Sequence, residues 1–165
     1  MTEQQRYQVR LDWSLPGAAA VAADADVVVW VDALQPEPAP LGDLPAGAAV
    51  VETGLEGAAE TAEWILALQE TLQRRTMVAL IAAGGRRGDG IRFAAEDLLA
   101  AGAVVDALES RGIDAYSPEA AVADAAFRTL RRAVGSLTSA VVGAPADRPD
   151  GQGRFIVRRG HPDAG

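Results

Sequence analysis

The most constraining feature of this sequence is an uninterrupted apolar run of four valines and one tryptophan, bounded by the acids Asp26 and Asp32. A run of this length, rich in β-branched residues, predicts a strand that is apolar on both faces. Such a strand belongs inside a sheet that is covered on both sides, which is typical of parallel sheets in α/β proteins. Asp32 follows the carboxyl end of this strand, where parallel sheets present ligand-binding groups.

The rest of the pattern alternates further strands with helices. One segment with a period of two and two short apolar runs predict strands, and alanine-rich amphipathic segments predict helices. The predicted strands cover residues 7–13, 26–32, 48–52 and 77–81, and the predicted helices cover residues 14–23, 53–74, 94–111 and 117–135. This alternation predicts an α/β fold with a central sheet covered by helices.

Local signals predict the boundaries and faces of several helices. Thr53 and Glu56 have the spacing of a capping box, which places a helix start at Thr53. Gly102 lies inside a predicted helix, where glycine is unfavourable, so we expect close packing against a neighbour there. The last long helix is predicted to begin at Ser117, and its buried face is predicted to consist of Val122, Ala126, Thr129, Leu130 and Ala133.

The length of 165 residues suits one α/β domain, which we assign to residues 1–143. Residues 144–165 are predicted to form a Pro/Gly-rich extension with one edge strand near residues 155–158 and a disordered end. Residues 35–45 contain four of the nine prolines and predict an extended connector. The N-terminus has no apolar signal region and no run approaches the length of a membrane span, so the prediction is a cytoplasmic protein without a membrane partner.

Composition excludes several kinds of chemistry. The chain has no cysteine and no lysine, which removes thiolate zinc sites, cysteine nucleophiles and Schiff-base chemistry. His161 is the only histidine, so a Ser-His-Asp triad or a multi-histidine metal site is disfavoured. Carboxylates, arginines and backbone amides remain, and this set suits Mg²⁺ and a small phosphorylated or acidic ligand. The net charge of −8 disfavours nucleic acid as a partner.

A glycine-rich turn, residues 84–90, follows the strand at residues 77–81. Glycines let backbone amides approach an anion closely, and nearby arginines add positive charge. The candidate anion-binding residues are therefore Gly84, Gly85, Arg86 and Arg92. The turn matches neither the dinucleotide-binding fingerprint nor the P-loop spacing, so the alternative is a surface loop without a ligand.

Two adjacent acids, Glu96 and Asp97, open the helix after this turn. Together with Asp32 they form a candidate Mg²⁺ site, because hard cations prefer several carboxylates. In an active enzyme Asp32 would also be the catalytic residue. The alternative is structural: acids are favoured in the first turn of a helix by its macrodipole, and Asp32 can cap the segment that follows its strand.

Three segments of the chain resemble the 2-phosphosulfolactate phosphatase (ComB-like) family. They are Val31-Asp32-Ala33-Leu34, Val50-Val51-Glu52-Thr53-Gly54-Leu55 and Phe93-Ala94-Ala95-Glu96-Asp97-Leu98-Leu99-Ala100-Ala101-Gly102-Ala103. The resemblance implies a three-layer α/β/α fold with a mostly parallel or mixed central sheet, and Mg²⁺-dependent removal of phosphate from phosphosulfolactate. It also carries Asp32, Glu96 and Asp97 over as the matching acids.

The sequence also departs from the family pattern. Gln35 stands where the family has an arginine, Ala94 stands where it has a serine, and the proline-rich connector replaces a longer segment that bears hydrogen-bond donors. Arginine and such donors hold a phosphate dianion, so their loss predicts reduced or lost phosphatase activity. The alternatives are an active Mg²⁺-dependent phosphatase that acts on a small phosphorylated sulfonate or carboxylic acid, and a non-catalytic anion-binding or oligomerisation module. A homodimer is compatible with each of them.

Overall fold

A computed structural model of the chain describes residues 4–34, 38–139 and 154–164. Within these residues, five strands form the main sheet and two form a small hairpin. In chain order the strands are β1 (Val9–Trp13), β2 (Val27–Val31), β3 (Ala49–Thr53), β4 (Val78–Ala82), the hairpin strands β5 (Gly85–Arg87) and β6 (Gly90–Arg92), and β7 (Ile156–Arg159). The order across the main sheet is β1-β4-β2-β3-β7.

The helices of the described residues alternate with these strands. They are α1 (Ser14–Val21), α2 (Ala58–Leu72), α3 (Ala95–Glu109), α4 (Pro118–Leu130) and α5 (Val134–Ser139), with short 3-10 turns at Leu41–Asp43 and Pro162–Ala164. Strands β1, β4, β2 and β3 are mutually parallel, whereas β7 runs antiparallel to β3. The predicted α/β fold with a mostly parallel, mixed sheet is confirmed.

Both faces of the sheet are covered, which accounts for the continuous apolar run of β2. Val27, Val29 and Val31 pack on one face in a core shared with α2 and α3. Val28 and Trp30 pack on the other face in a smaller core shared with α1. All five residues of β2 are buried, and its neighbours on the two sides are β4 and β3. The three-layer arrangement follows from this two-sided burial.

The two helical connections between parallel strands lie on opposite faces of the sheet. Helix α1 joins β1 to β2 on one face, and α2 joins β3 to β4 on the other. The carboxyl ends of the four parallel strands lie at one edge of the sheet, where parallel sheets present ligand-binding groups. The segment after β4 continues directly into the β5–β6 hairpin and then into α3.

The predicted capping box at Thr53 is wrong. Thr53 is the buried last residue of β3, its hydroxyl donates to the Gly54 carbonyl at 3.2 Å, and α2 begins only at Ala58. The N-cap residue is Gly57, where an added Cβ would lie 2.5 Å from the backbone nitrogen of Phe155. The C-terminal segment therefore packs directly against the start of α2.

The predicted end and buried face of α4 are also wrong. The helix starts as expected, with the Ser117 hydroxyl accepting from the Ala120 amide at 3.2 Å, but it ends at Leu130. Its buried residues are Ala120, Ala123 and Asp124, while Val122 and Leu130 are 63% and 41% exposed. The side that packs on α3 is therefore the opposite of the predicted one.

The C-terminal segment contributes the last strand of the sheet. β7 pairs with β3, and Arg158 forms an ion pair with the buried Glu52 at 2.6 Å. The residues after β7 form a 3-10 turn, so the expectation of a disordered end is wrong for residues 162–164.

The predicted domain boundary at residue 143 and part of the predicted connector, residues 35–37, lie outside the described residues. Among the described helices, none has both the length and the apolar character required to cross a membrane.

Candidate functional site

The candidate site is the edge of the sheet where β2 and β4 end and α3 begins. Asp32 follows β2 directly, and Gly84 lies two residues beyond β4. Glu96 and Asp97 lie in the first turn of α3, and both are buried, at 4% and 3% exposure. The parallel register of β2 and β4 brings these three chain segments to one edge.

Asp97 links two loops of this edge. One of its carboxylate oxygens accepts a hydrogen bond from the Ala33 amide at 2.8 Å, and the other accepts from the Gly84 amide at 2.9 Å. Ala33 belongs to the segment after β2 and Gly84 to the segment after β4. The Asp97 carboxylate therefore holds both segments against the start of α3.

The electrostatic surroundings of Asp97 are unfavourable to its charge. Burial raises the pKa of its carboxyl group from an ordinary value of 3.8 to about 7. The hydrogen bonds from Ala33 and Gly84 act in the opposite direction, whereas the negative charges of Asp32 and Glu96 add to the increase. The Asp97 carboxylate binds the amide of Ala33, the residue next to Asp32, so the two acids lie close together at this edge of the sheet.

Asp32 and Glu96 have partners of their own. The Asp32 carboxylate accepts from the Leu34 amide at 3.0 Å, in a local turn after β2. Glu96 forms an ion pair with Arg92 at 3.0 Å, and Arg92 also donates to the Phe93 carbonyl at 3.3 Å. Arg92 is only 35% exposed and is thus held against the start of α3.

The three predicted metal ligands lie close together at this edge of the sheet. Asp32, Glu96 and Asp97 are neighbours, yet within the described part of the chain no group of three His, Cys, Asp or Glu residues is arranged to hold a metal ion. Asp32 Oδ1, Glu96 Oε1 and both carboxylate oxygens of Asp97 accept hydrogen bonds from other groups of the protein. The Mg²⁺ site at these three acids stays a prediction.

The predicted anion-binding residues also contact the protein's own groups. The Gly84 amide is bound by Asp97, and the space beside Gly85 is filled by Arg92, whose Nε would lie 2.6 Å from a Cβ at that position. Arg86 lies in β5, but its side chain is outside what the structure describes. The glycine-rich turn itself is a β-hairpin that turns at residues 88–89, with a positive φ of 57° at Gly88.

Three residues at the end of β1 reach the same edge and were not singled out from the sequence. Trp13 stacks on Phe93 with ring centroids 4.8 Å apart, and the Ser14 hydroxyl donates to the Ala83 carbonyl at 2.8 Å. The Asp12 carboxylate accepts from the Trp13 amide at 2.7 Å. The rule that predicted Asp32, that parallel strands end at one edge, applies equally to β1 and would have found these residues.

A separate groove of about 380 Å³ lies between α2 and the C-terminal segment. Trp64, Leu68 and Thr71 line it from α2, and Val157 and His161 line it from the other side. The predicted site residues do not line this groove. His161 is buried, and its Nδ1 accepts from the Asp163 amide at 3.1 Å while its Nε2 lies 3.6 Å from Asp26.

The fold and the acidic residues beside β2 and α3 place this chain in the class of three-layer α/β proteins. Its acidic cluster lies at the carboxyl ends of the parallel strands. No known family model matches the chain, and no curated protein is significantly similar to it.

Proposed function

We propose that this protein is ComB-like, related to the Mg²⁺-dependent 2-phosphosulfolactate phosphatases, and that its phosphatase activity is reduced or lost. The observation that carries the proposal is the position of Asp97, whose carboxylate occupies the backbone amides of Ala33 and Gly84. Gly84 is one of the predicted anion-binding residues, and its amide is here engaged by a side chain of the protein itself. The meeting of Asp32 with the Glu96–Asp97 pair supports the relationship to the family.

Electrostatics support the loss of activity. A phosphate dianion at this edge would lie beside Asp32, Glu96 and Asp97, and like charges at short range oppose its binding. Arginine is the side chain best suited to hold a phosphate, because its planar guanidinium donates in a fork. At this edge Arg92 already neutralises Glu96. An active enzyme would need both Asp97 and Arg92 to leave their present partners.

Phosphate release tests the proposal directly. The purified chain is incubated with 2-phosphosulfolactate and Mg²⁺, and free phosphate is measured with and without a chelator. We expect no release above the protein-free background, and no further change in Asp32→Ala. Asp43→Ala is the matched control, because Asp43 is an exposed acid in the Leu41–Asp43 turn. Mg²⁺-dependent release that Asp32→Ala abolishes and Asp43→Ala retains would establish the active phosphatase instead.

The proposal includes a cytoplasmic location. Cell fractionation with an antibody against the chain checks it, and recovery in the soluble cytoplasmic fraction is the expected result.

A further inference from the structure

The groove between α2 and the C-terminal segment has the size and lining of a small-molecule site. Its volume of about 380 Å³ lies near the lower end of the range of roughly 300–1,000 Å³ that such sites span. We call it the histidine groove, because the only histidine of the chain lines it. Trp64, Leu68 and Val157 give it apolar walls, and Leu68 and His161 are buried. The predicted site residues do not line it, so what it binds is independent of the proposed function.

His161 brings a buried hydrogen-bond donor to this groove. Its side chain is only 3% exposed, and its Nδ1 accepts from the Asp163 amide at 3.1 Å. The neutral ring therefore carries its proton on Nε2. Within the described part of the chain Nε2 makes no hydrogen bond, because Oδ1 of Asp26 lies 3.6 Å away, beyond hydrogen-bond distance. A buried donor without an acceptor is unfavourable, so an acceptor in the groove would be stabilised there.

The Asp26 carboxylate is already occupied by other donors. It accepts from the Arg74 guanidinium at 2.9 and 2.5 Å and from the Met77 amide at 2.7 Å. Arg74 also balances the negative charge of Asp26, since the two groups form an ion pair. These hydrogen bonds hold the carboxylate at its present distance from His161. The Nε2 proton is therefore left for an acceptor that enters the groove.

The lining of the groove carries no counter-charge for an ionic ligand. Among the described residues that line it, none is Asp, Glu or Arg. The Thr71 hydroxyl donates to the Ala67 carbonyl at 2.9 Å, so it is engaged within α2 itself. A charged ligand would lose hydration in this groove without gaining an ion pair, which is unfavourable. The groove thus favours an uncharged ligand with an apolar body.

We propose that the histidine groove binds a small uncharged molecule that has an apolar body and one hydroxyl or carbonyl oxygen. The body, an aromatic ring or a short hydrocarbon, lies against Trp64, Leu68 and Val157 and removes their apolar surface from water. The oxygen accepts a hydrogen bond from Nε2 of His161, which satisfies the buried donor. Small-molecule sites commonly combine apolar walls with a few placed polar groups in this way.

Three probes that share one ring test the class of ligand: benzyl alcohol, toluene and benzoate. Binding is followed through the imidazole ¹⁵N resonances, which belong to one residue because the chain has a single histidine. At about pH 8, where an ordinary imidazole is neutral, benzyl alcohol is expected to shift the Nε2 resonance saturably. The expected Kd is on the order of 1–10 mM, and benzoate is expected to bind at least about ten-fold more weakly. An Nε2 resonance that benzyl alcohol leaves unchanged, or benzoate binding as tight as that of benzyl alcohol, overturns the proposal.

His161→Asn tests the hydrogen bond to the ligand. The asparagine oxygen can still accept from the backbone amide two residues further on, but the Nε2 donor is gone. We expect the affinity for benzyl alcohol relative to that for toluene, measured by ligand-observed NMR, to fall about five- to ten-fold. Using the ratio of the two affinities removes the effect of the altered groove shape, which both probes share. An unchanged ratio would show that His161 does not hold the oxygen.

Gly160→Leu tests the location of the site without altering a buried residue. Gly160 lines the groove and is exposed, and an added Cβ there meets nothing within 4 Å. The leucine is expected to fill the groove and to weaken binding of both benzyl alcohol and toluene about ten-fold or more, with an unchanged thermal midpoint. Gly47→Leu is the matched control, because its Cβ also meets nothing within 4 Å and Gly47 is outside the lining. Wild-type affinity in Gly160→Leu, or equal weakening in Gly47→Leu, would refute binding in this groove.

Discussion

At the scale of single residues, Asp97 determines how the candidate site is built. Its carboxylate binds backbone amides from two loops and thereby acts as an internal anion at the start of α3. Backbone amides that converge on one point ordinarily attract an external anion. Here the Ala33 and Gly84 amides are occupied by the chain's own carboxylate, which is a structural reason to expect a weak affinity for phosphate.

The raised pKa of Asp97 makes stability depend on pH in a specific window. Because the folded pKa of about 7 lies above the ordinary 3.8, the folded state binds the proton more tightly than the unfolded state. The stabilisation from this group is complete below about pH 4 and is lost as pH rises through about 7. A difference of about three pKa units corresponds to a change on the order of 4 kcal/mol in the free energy of unfolding.

Asp97→Asn isolates this effect, because the amide side chain does not titrate. We expect the difference in free energy of unfolding between wild type and Asp97→Asn to favour wild type increasingly as pH falls from about 7 to about 4. Urea denaturation at several pH values measures it. Asp89→Asn serves as the control, since Asp89 is exposed at the hairpin turn. A difference that stays constant across this window would contradict the raised pKa.

Sequence reasoning anticipated part of this site. The strand that ends at Val31 and the acids that open α3 were both visible as local patterns, and parallel topology implied that they would meet. The hydrogen bonds of Asp97 and the ion pair between Arg92 and Glu96 could not be anticipated. They depend on how the segments after β2, β4 and β6 meet at the start of α3, which no periodicity in the sequence encodes.

At the scale of elements, the α3–α4 pair shows which structural features the sequence pattern predicts and which it does not. Gly102 was expected to mark a close approach, and the contact with Ala123 explains it. The buried face of α4 was assigned to the wrong side, because both sides of that helix carry apolar residues. Periodicity identifies an apolar face, but it does not specify which of two such faces lies inside the chain.

Gly102→Ala tests the contact between α3 and α4. Alanine normally favours a helix over glycine by about 1 kcal/mol, but here the methyl group would overlap the Ala123 carbonyl oxygen. We therefore expect a net loss of roughly 1–3 kcal/mol in the free energy of unfolding, measured by urea denaturation. Gly42→Ala, where an added Cβ meets nothing within 4 Å, is expected to change stability little. Equal stability of Gly102→Ala and wild type would show that the helices separate easily.

At the scale of the whole molecule, β7 completes the sheet from a distant part of the sequence. Val50 and Val51 of β3 pair with Arg159 and Val157, and Arg158 neutralises the buried Glu52. The edge strand was visible in the sequence as a short apolar run, but its partner strand and its antiparallel direction were not. Pairings of such long separation depend on the three-dimensional course of the chain, which local signals leave open.

Ending the chain at residue 153 tests the contribution of β7. The truncation leaves Glu52 without its ion pair and exposes the edge of β3, so we expect a loss of about 3–5 kcal/mol in the free energy of unfolding. A shorter truncation after residue 160 retains β7 and removes only the turn that follows it. Comparing the two truncations separates the contribution of the strand to stability from that of the turn. The urea midpoint of each variant measures the effect. A midpoint unchanged at residue 153 would mean that the remaining sheet is stable without this strand.

The antiparallel β7 has a consequence for biosynthesis. It pairs with β3, which is synthesised about a hundred residues earlier. The outer edge of β3 therefore stays unpaired until the C-terminal segment has left the ribosome. During that interval the unpaired edge of the valine-rich β3 can pair with a strand of a neighbouring nascent chain. Misassembly between chains would therefore begin on polysomes that translate this message quickly.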